Sequence, residues 1–227
     1  MAEKLGLYVH IPFCRSKCDY CDFYSLAGKE GRMDDYQKAL LAHMKETAPL
    51  TRGWQVDTVY FGGGTPTTLS APQLDRLMGE LAEHIDLSGC TEYTVEAGRP
   101  DTITAEKLAV LARRGCSRVS VNPQTMQDAV LERMGRAHRA DDILRAYALA
   151  RESGIGCINM DLIAGLPGDS AEGFRASLEQ VLALGPENVT VHTLALKKGS
   201  RLMEEGGGLP SGAAVADMLD FAWAALR

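Results

Sequence analysis

Short apolar, β-branched stretches alternate along the whole chain with longer segments of helical periodicity. Six stretches have the composition of buried strands, at residues 7–11, 58–61, 93–96, 118–121, 158–161 and 189–193. Segments with apolar residues at helical spacing lie between and after them, at residues 34–48, 71–85, 105–114, 140–153, 171–184 and 213–226. Strict alternation indicates parallel strands, because each helix carries the chain back to the same edge of the sheet. The predicted fold class is therefore α/β.

Residues at the ends of these segments support the helix boundaries. Ser70 and Thr104 are good N-terminal caps, and Gly115, Gly154 and Gly185 stand where helices commonly end in a left-handed residue. Six strand–helix units are compatible with an open doubly wound sheet or with a six-unit partial barrel. Polar and glycine-rich motifs follow most of the strands rather than one of them. We therefore predict a partial (β/α) barrel with a cavity over the carboxyl ends of its strands.

The overall composition limits the classes of function. With 227 residues, 45% of them hydrophobic, the chain is long enough for one sizeable core, and we treat residues 1–227 as one domain. The net charge is −6 and the 24 lysines and arginines are scattered, which argues against a nucleic-acid partner. No apolar stretch reaches the ~18 residues of a membrane span or resembles a signal peptide. We expect no membrane span and a cytoplasmic location.

Three cysteines lie close together directly after the first predicted strand. Cys14, Cys18 and Cys21 have the spacing Cys-x3-Cys-x2-Cys, which brings three thiolates within reach of one centre. Iron–sulfur clusters are held by cysteine thiolates, and a 4Fe-4S cluster bound by three of them leaves one iron free for an outside ligand. Structural zinc would need a fourth ligand, from His10 or a distant side chain. Three unrelated buried cysteines are the remaining interpretation, although a polar loop is an unusual place for core residues.

The remaining cysteines lie at the opposite end of the predicted sheet. Cys90, Cys116 and Cys157 each stand just before a strand, whereas the cysteine loop follows one. Because parallel strands all point the same way, residues before and after a strand lie at opposite edges. We therefore predict that these cysteines do not join the cluster and are small core or surface residues.

Ligand-binding candidates follow later strands at the same edge as the cysteine loop. The second strand runs into glycines 62–64 and Thr65, where the missing side chains let backbone groups approach a ligand. Glu96, Gln124 and Asp161 come with the next three strands, at positions where an apolar residue would be easier to bury. Each one alone is compatible with a satisfied polar residue of the core. Together they favour a polar-lined cavity.

Several other polar residues have no single interpretation from the sequence. Arg136 is equally compatible with a solvated charge at a helix end and with a group that reaches a carboxylate ligand. His138 and His192 lack the partner spacing of metal ligands, and a structural role is the commoner one for such histidines. Arg15 and Arg99 are available for an anionic substrate, and nothing in the sequence ranks them.

The combination of these motifs resembles a known family. Residues 8–14 (YVHIPFC), the cysteine spacing, residues 62–67 (GGGTPT) and residues 161–168 (DLIAGLPG) together resemble the oxygen-independent coproporphyrinogen III oxidases of the radical S-adenosylmethionine (SAM) superfamily. The resemblance covers nearly the whole chain. The signatures at residues 95–101, 121–124 and 191–197 look most like the coproporphyrinogen dehydrogenase branch of that family.

The resemblance implies a radical SAM core domain with oxidoreductase activity and two cofactors, a 4Fe-4S cluster and S-adenosyl-L-methionine. The implied metal ligands are Cys14, Cys18 and Cys21. The implied contacts to SAM are Tyr8, Tyr20, Gly63, Gly64, Thr65, Glu96, Gln124, Arg136 and Asp161. The implied reaction is the oxidative decarboxylation of coproporphyrinogen III to protoporphyrinogen IX in haem biosynthesis. The implied partners are this porphyrinogen and an electron donor such as flavodoxin or ferredoxin, with the enzyme a monomer.

Two departures from the family pattern leave a second function open. Well-studied oxidases of the family carry a further cysteine two places after the third ligand, and this chain has Phe23 there, as haem-chaperone relatives do. The alternative is therefore a haem-binding chaperone that keeps the cluster without oxidising a porphyrinogen. The family also has a carboxyl-terminal domain that covers the substrate, and we expect it to be absent or truncated in these 227 residues.

Overall fold

The computed structural model describes residues 3–205 and 207–227 and has a parallel sheet at its centre. The strands are β1 (Glu3–Ile11), β2 (Phe13–Cys14), β3 (Leu26–Ala27), β4 (Trp54–Gly63), β5 (Glu92–Glu96), β6 (Arg118–Gln124), β7 (Cys157–Ala164) and β8 (Asn188–Thr193). Six of them form one sheet in the order β1-β4-β5-β6-β7-β8, and β2 pairs separately with β3. All neighbouring strands of the large sheet are parallel. The predicted α/β fold, a partial barrel of six units, is confirmed.

Helices follow the strands, and the long helices cover the outer face of the sheet. They are α1 (Met33–Thr47), α2 (Ala71–His84), α3 (Ala105–Arg113), α4 (Asp128–Arg133), α5 (Ala140–Glu152), α6 (Ala171–Leu184), α7 (Arg201–Glu205) and α8 (Gly212–Ala225). The six long helices match the predicted segments to within one residue at each end. The sequence does not predict α4 and α7, because six and five residues are too few to show a helical period. No helix in the described part of the chain has the length and apolar character needed to cross a bilayer.

Caps explain where several helices begin and end. At the start of α2, Ser70 Oγ accepts from the Gln73 N–H, and the Ser70 N–H donates to Gln73 Oε1 at 2.9 Å. At the start of α3, the Lys107 N–H donates to Thr104 Oγ1 at 3.3 Å. Gly185 ends α6 with a φ of 71°, the left-handed conformation that glycine adopts without steric cost. The caps predicted at these three helix ends are present.

The outer face of the sheet supplies the hydrophobic core. Side chains of a strand alternate between its two faces, and every second residue here is buried against the helices. Examples are Val59 and Phe61 of β4, Val95 of β5, Val119 of β6 and Met160 of β7, each at most 1% exposed. The intervening residues therefore face the barrel interior.

The inner face of the sheet carries polar side chains that bind one another. Asn159 Nδ2 donates to Ser120 Oγ at 2.6 Å and to Asp161 Oδ1 at 2.5 Å. Thr190 Oγ1 donates to Asn159 Oδ1 at 3.0 Å. These bonds link β6, β7 and β8 inside the barrel and satisfy the buried amide. The polar lining leads to the carboxyl edge of the sheet.

Phe61→Ala is expected to destabilise the protein by about 3–5 kcal/mol, because it empties a fully buried aromatic site. The Phe61 ring also stacks on Tyr93, with 5.6 Å between the ring centroids. Denaturant unfolding followed by circular dichroism measures the loss. Leu50 is 75% exposed and serves as the control, since Leu50→Ala should change stability by less than about 0.5 kcal/mol. Equal effects of the two substitutions would contradict the core assignment.

Candidate active site

The cysteine loop, residues 14–21, leaves the sheet at its carboxyl edge and is fastened by backbone hydrogen bonds. The Leu26 N–H donates to Pro12 O at 2.6 Å, which ties β3 to the start of the loop. The Asp19 N–H donates to Met134 O at 3.2 Å, and the Leu202 N–H of α7 donates to Asp19 O at 2.8 Å. Segments that are far apart in sequence therefore hold the loop at the barrel mouth.

The three thiols of this loop line one cavity. Burial raises the pKa of the Cys21 thiol, and the nearby sulfurs of Cys18 and Cys14 add to the rise. In the part of the chain that the structure describes, the three sulfurs do not form a group whose atoms all lie within 4.8 Å of one another. Thiolates that share one tetrahedral zinc ion are about 3.8 Å apart, as follows from a Zn–S bond of about 2.3 Å. At least one pair of sulfurs therefore lies farther apart than two thiolates on one zinc ion would.

His10, the candidate fourth ligand of a zinc site, has both ring nitrogens engaged elsewhere. Its Nδ1 lies 3.1 Å from Tyr8 Oη and its Nε2 lies 3.1 Å from Tyr24 O. Structural zinc almost always has four protein ligands. His10 is therefore not placed as a fourth ligand, and the three thiolates that the loop itself offers suit an iron–sulfur cluster with one open iron.

The glycine loop after β4, residues 62–64, packs its backbone directly against the start of the cysteine loop. The Gly64 N–H donates to Ile11 O at 2.8 Å, and the Thr65 N–H donates to Phe13 O at 2.8 Å. A Cβ on Gly64 would stand 2.6 Å from Phe13 O. Gly63 has a φ of 114°, a conformation that favours glycine. The close approach of the two loops therefore depends on these two glycines.

Glu96 and Asp161 bring two carboxylates to the cavity from β5 and β7. Tyr60 Oη donates to Glu96 Oε1 at 2.6 Å, and Asn159 Nδ2 holds Asp161 Oδ1. Burial raises the pKa of the Glu96 carboxyl group; the hydrogen bond from Tyr60 opposes the rise, and the charge of Asp161 adds to it. Both carboxylates keep oxygens that can accept hydrogen bonds from a ligand's hydroxyl or ammonium groups.

Glu96→Gln is expected to change how the stability of the ligand-free protein depends on pH. The raised pKa means that the folded state holds the Glu96 proton more tightly than the unfolded state does. This contribution to stability is fully present below the unfolded pKa and is lost as the pH rises through the folded pKa. Glutamine stays neutral, so the variant should gain stability relative to the wild type across this window. Denaturant unfolding from about pH 4 to about pH 8 measures the difference, and a constant difference would contradict the assignment.

Gln124 and Asn122 place unpartnered amide oxygens at the cavity wall. Gln124 Oε1 and Asn122 Oδ1 are buried and have no hydrogen-bond partner among the described residues. Gln124 also has a φ of 69°, and no other non-glycine residue in the described ranges has a positive φ. Such strain persists only where the surroundings enforce it, and it clusters at functional sites. A ligand with amino or hydroxyl groups would satisfy these acceptors.

Arg136 is buried behind the cysteine loop and is not a solvated charge. Its Nη1 donates to Tyr20 Oη at 3.0 Å, and its Nη2 donates to the carbonyls of Gly98 and Asn122 at 2.9 and 2.7 Å. Its Nε lies 3.4 Å from His138 Nε2. Burial lowers the pKa of His138 to about 3, and the charge of Arg136 contributes. His138 thus has the environment of a structural residue, and most donors of Arg136 are committed to protein partners.

These groups surround one cavity of about 480 Å³ at the carboxyl edge of the sheet. The three predicted metal ligands and eight of the nine predicted SAM contacts line it. Tyr8 is the exception: it is 59% exposed and stacks on Tyr60, which does line the cavity. The volume falls within the ~300–1,000 Å³ that is typical of ligand pockets. The predicted residues are thus brought together, although their individual contacts to cofactors stay predictions.

Several lining residues are not singled out for the site by the sequence. Those with polar or bulky side chains include Tyr60, Asn122, Ile163, His192 and Lys197. Strand alternation could have identified Tyr60, because it precedes Phe61, which faces the core, and so points inward. His192 was expected to be structural, but it lines the cavity, with its Nε2 3.9 Å from Asp161 Oδ2.

Cys90, Cys116 and Cys157 lie at the amino edge of the sheet, away from the cysteine loop. Cys90 Sγ donates to Glu92 O at 3.3 Å, and Cys116 Sγ donates to Arg118 O at 3.1 Å. Burial raises the pKa of the Cys116 thiol to about 12. Their location agrees with the prediction that they do not join the cluster.

Comparison with known proteins identifies the family. Residues 8–181, more than half of the chain, match the Radical SAM superfamily. The chain belongs to the radical SAM superfamily. The resemblance inferred from the motifs is thereby confirmed.

Several relatives of this radical SAM chain have names that refer to porphyrins or haem. The oxygen-independent coproporphyrinogen-III oxidase-like protein HemZ of Bacillus subtilis is 42% identical over 205 residues, 88% of this chain and 41% of HemZ. The heme chaperone HemW of Bacillus subtilis is 37% identical over 203 residues, 88% of this chain and 53% of HemW. The structure of coproporphyrinogen III oxidase (HemN) from Escherichia coli is 31% identical with a TM-score of 0.91, covering 99% of this chain and 52% of HemN. The chain spans about half the length of these relatives.

Radical SAM proteins use a 4Fe-4S cluster and SAM, which confirms the predicted cofactors. The residues of this site fit both groups. Three thiols lie on one loop and line one cavity, and cysteine thiolates are the ligands that hold an iron–sulfur cluster. The orphaned oxygens of Gln124 and Asn122 and the close-packed glycine loop suit a polar organic ligand beside it.

Proposed function

We propose that this protein cleaves SAM reductively at a 4Fe-4S cluster and uses this chemistry to decarboxylate coproporphyrinogen III to protoporphyrinogen IX. The observation that carries the proposal is the single cavity in which the cysteine loop faces the glycine loop, Glu96 and Asp161. Three thiolates suit a cluster with one open iron, and the two carboxylates suit the hydroxyl and amino groups of SAM. Similarity to HemZ and HemN supports the choice of substrate.

The cluster and SAM, when bound, supply the one-electron chemistry that removes a hydrogen atom from the substrate. The protein's own residues bind, orient and shield the reactants. Gly63 and Gly64 let the backbone approach closely, and the Tyr60 hydroxyl fixes the Glu96 carboxylate by a 2.6 Å hydrogen bond. The strained backbone of Gln124 aims its amide at the cavity. In the proposed reaction each propionate would give a hydrogen atom to the chemistry that SAM supplies, lose carbon dioxide and pass one electron to an external one-electron acceptor, which leaves a vinyl group.

The cavity lining has features suited to a flat substrate with several carboxylates. Lys17 and Lys197 are among its lining residues, and carboxylates bind lysine ammonium groups through charge-assisted hydrogen bonds. Phe23 also lines the cavity and is 67% exposed, so its ring is available to stack on a macrocycle. These residues support a tetrapyrrole as the substrate class.

The remaining predictions belong to the same proposal. A low-potential donor such as flavodoxin or ferredoxin delivers the electrons, and the protein acts in the cytoplasm as a monomer without a nucleic-acid partner. We also propose that residues 1–227 form one radical SAM core domain.

A haem-binding chaperone is the second candidate, and Phe23 favours it. This residue occupies the position at which the resembling oxidases carry a further cysteine. The 37% identity to HemW, named a heme chaperone, supports the same reading. Such a protein would keep the cluster and bind haem without oxidising a porphyrinogen.

Anaerobic reconstitution followed by assay separates the two candidates. The reconstituted protein, with about four irons and about four sulfides per chain, is incubated with SAM, a reductant and coproporphyrinogen III. Divinyl product at more than one equivalent per chain supports the oxidase and excludes a pure chaperone. Stable haem binding without product overturns the oxidase and supports the chaperone. A protein that takes up no iron overturns both.

A further inference from the structure

Arg99 is a buried cation for which the proposed site has no role. Its side chain is 5% exposed and follows β5 on the loop that faces the cysteines. Its Nη1 donates to Cys18 Sγ at 3.0 Å, and its Nη2 donates to Ser16 Oγ at 2.7 Å. A hydrogen bond from a guanidinium group is charge-assisted and stronger than a neutral one. Arg99 therefore contacts the cysteine loop through one of its three candidate cluster ligands.

The nearest carboxylate does not fully neutralise Arg99. Arg99 Nε lies 3.6 Å from Asp101 Oδ1, and neither atom has a hydrogen-bond partner within residues 3–205 and 207–227. Asp101 is also shared with Arg15, whose Nη1 donates to Asp101 Oδ2 at 3.2 Å. The Asp101 carboxylate is thus shared between the guanidinium groups of Arg15 and Arg99. Net positive charge remains next to Cys18.

Cys18 and Cys14 of the cysteine loop have different surroundings. Arg136 Nη1 lies 3.7 Å from Cys18 Sγ, so two buried guanidinium groups converge on one sulfur. Cys14 Sγ instead meets the neutral hydroxyl of Thr65 at 3.5 Å. A residue whose role was only to hold the loop in place could do so by its hydrogen bond to Ser16, without placing a positive charge at the sulfur. The asymmetry points to an electrostatic role.

We propose that Arg99 is a positioning residue that raises the reduction potential of the cluster through its hydrogen bond and charge at Cys18. Hydrogen bonds to the sulfurs and local charge are the means by which a protein sets the potential of an iron–sulfur cluster. Reduction adds one negative charge, so an adjacent cation stabilises the reduced cluster more than the oxidised one. The inference rests on the proposed assignment of the cysteine loop as the cluster site.

Arg99→Gln in the reconstituted full chain should move the midpoint potential to a more negative value in a redox titration followed by electron paramagnetic resonance. Arg15→Gln is the matched control, because it removes the same formal charge and a contact to the same carboxylate. Arg15 is 58% exposed and forms an ion pair with Asp101, so its loss should give a smaller shift of the potential. Asp101→Asn should shift the potential in the opposite direction, because it removes the counter-charge of Arg99.

Arg99→Lys keeps the charge but loses the two-pronged geometry of the guanidinium group, so it should give an intermediate shift. It also supplies the decisive measurement if Arg99→Gln binds too little iron to titrate. An unchanged potential in the Arg99 variants, or equal shifts in Arg99→Gln and Arg15→Gln, would overturn the inference and leave the proposed function standing. A wild-type chain that binds no iron would overturn the proposed function itself.

Discussion

Cys18→Ala should leave the protein without its 4Fe-4S cluster and abolish SAM cleavage. Iron is expected to fall from about four atoms per chain to near zero, because two thiolates cannot hold a cluster that needs three. The fold should persist, because the loop contributes no strand to the six-stranded sheet; its two-residue strand β2 pairs only with β3. Iron and sulfide analysis, the visible absorbance and the yield of 5′-deoxyadenosine measure the loss.

Cys116→Ala is the matched control for this substitution. Cys116 lies at the amino edge of the sheet, where its thiol donates to Arg118 O, and it should not affect iron content. Far-ultraviolet circular dichroism checks that both variants are folded. SAM cleavage by Cys18→Ala, or loss of iron in Cys116→Ala, would contradict the ligand assignment.

Gly64→Ala should weaken SAM binding at least tenfold, equivalent to about 1.4 kcal/mol, and reduce the retention of the cluster. The added Cβ would stand 2.6 Å from Phe13 O and 2.9 Å from the Pro12 carbonyl carbon. Both are backbone atoms that cannot rotate away, so the two loops must separate. The hydrogen bond from the Thr65 N–H to Phe13 O, now 2.8 Å, is the first contact to be strained. Equilibrium dialysis with SAM and iron analysis measure the two effects.

Gly156→Ala is the corresponding control. A Cβ on Gly156 would meet no atom within 4 Å, and the residue lies before β7 at the opposite edge of the sheet. SAM affinity and iron content should therefore equal those of the wild type. If Gly64→Ala also behaved as the wild type, the close packing of the two loops would have no part in cofactor binding.

The elements of the fold could be predicted because each carries its own local signal. The long helices show their period and their caps, as at Ser70 and Gly185, and their predicted bounds are correct to one residue. The arrangement of the strands could not be predicted from local signals alone, because the alternation of strands and helices fits a doubly wound sheet equally well. The distribution of polar motifs over several strand ends decided for the partial barrel. The helices α4 and α7 were not predicted, because one or two turns are too short to show a helical periodicity.

Residues of the candidate site could be predicted only where their position along a strand determines the edge of the sheet at which they lie. Glu96 and Asp161 follow this rule and line the cavity. The contacts of Cys18 cannot be predicted in this way, because Arg99 is 81 residues away in sequence and Arg136 is 118 residues away. Nothing local shows that two arginines from different loops meet at one sulfur. The same limit explains why the sequence did not rank Arg99 above Arg15.

The edge strands of the sheet, β1 and β8, each pair with a single neighbour within the described ranges. In a closed barrel every strand is bonded on both sides, so strand number and stagger determine the diameter. This arc has no such constraint, and a small change in twist between strands can widen or narrow it with every ladder bond intact. The curvature of the sheet can therefore adjust, and a bulky ligand can be admitted at the open side without breaking a ladder hydrogen bond.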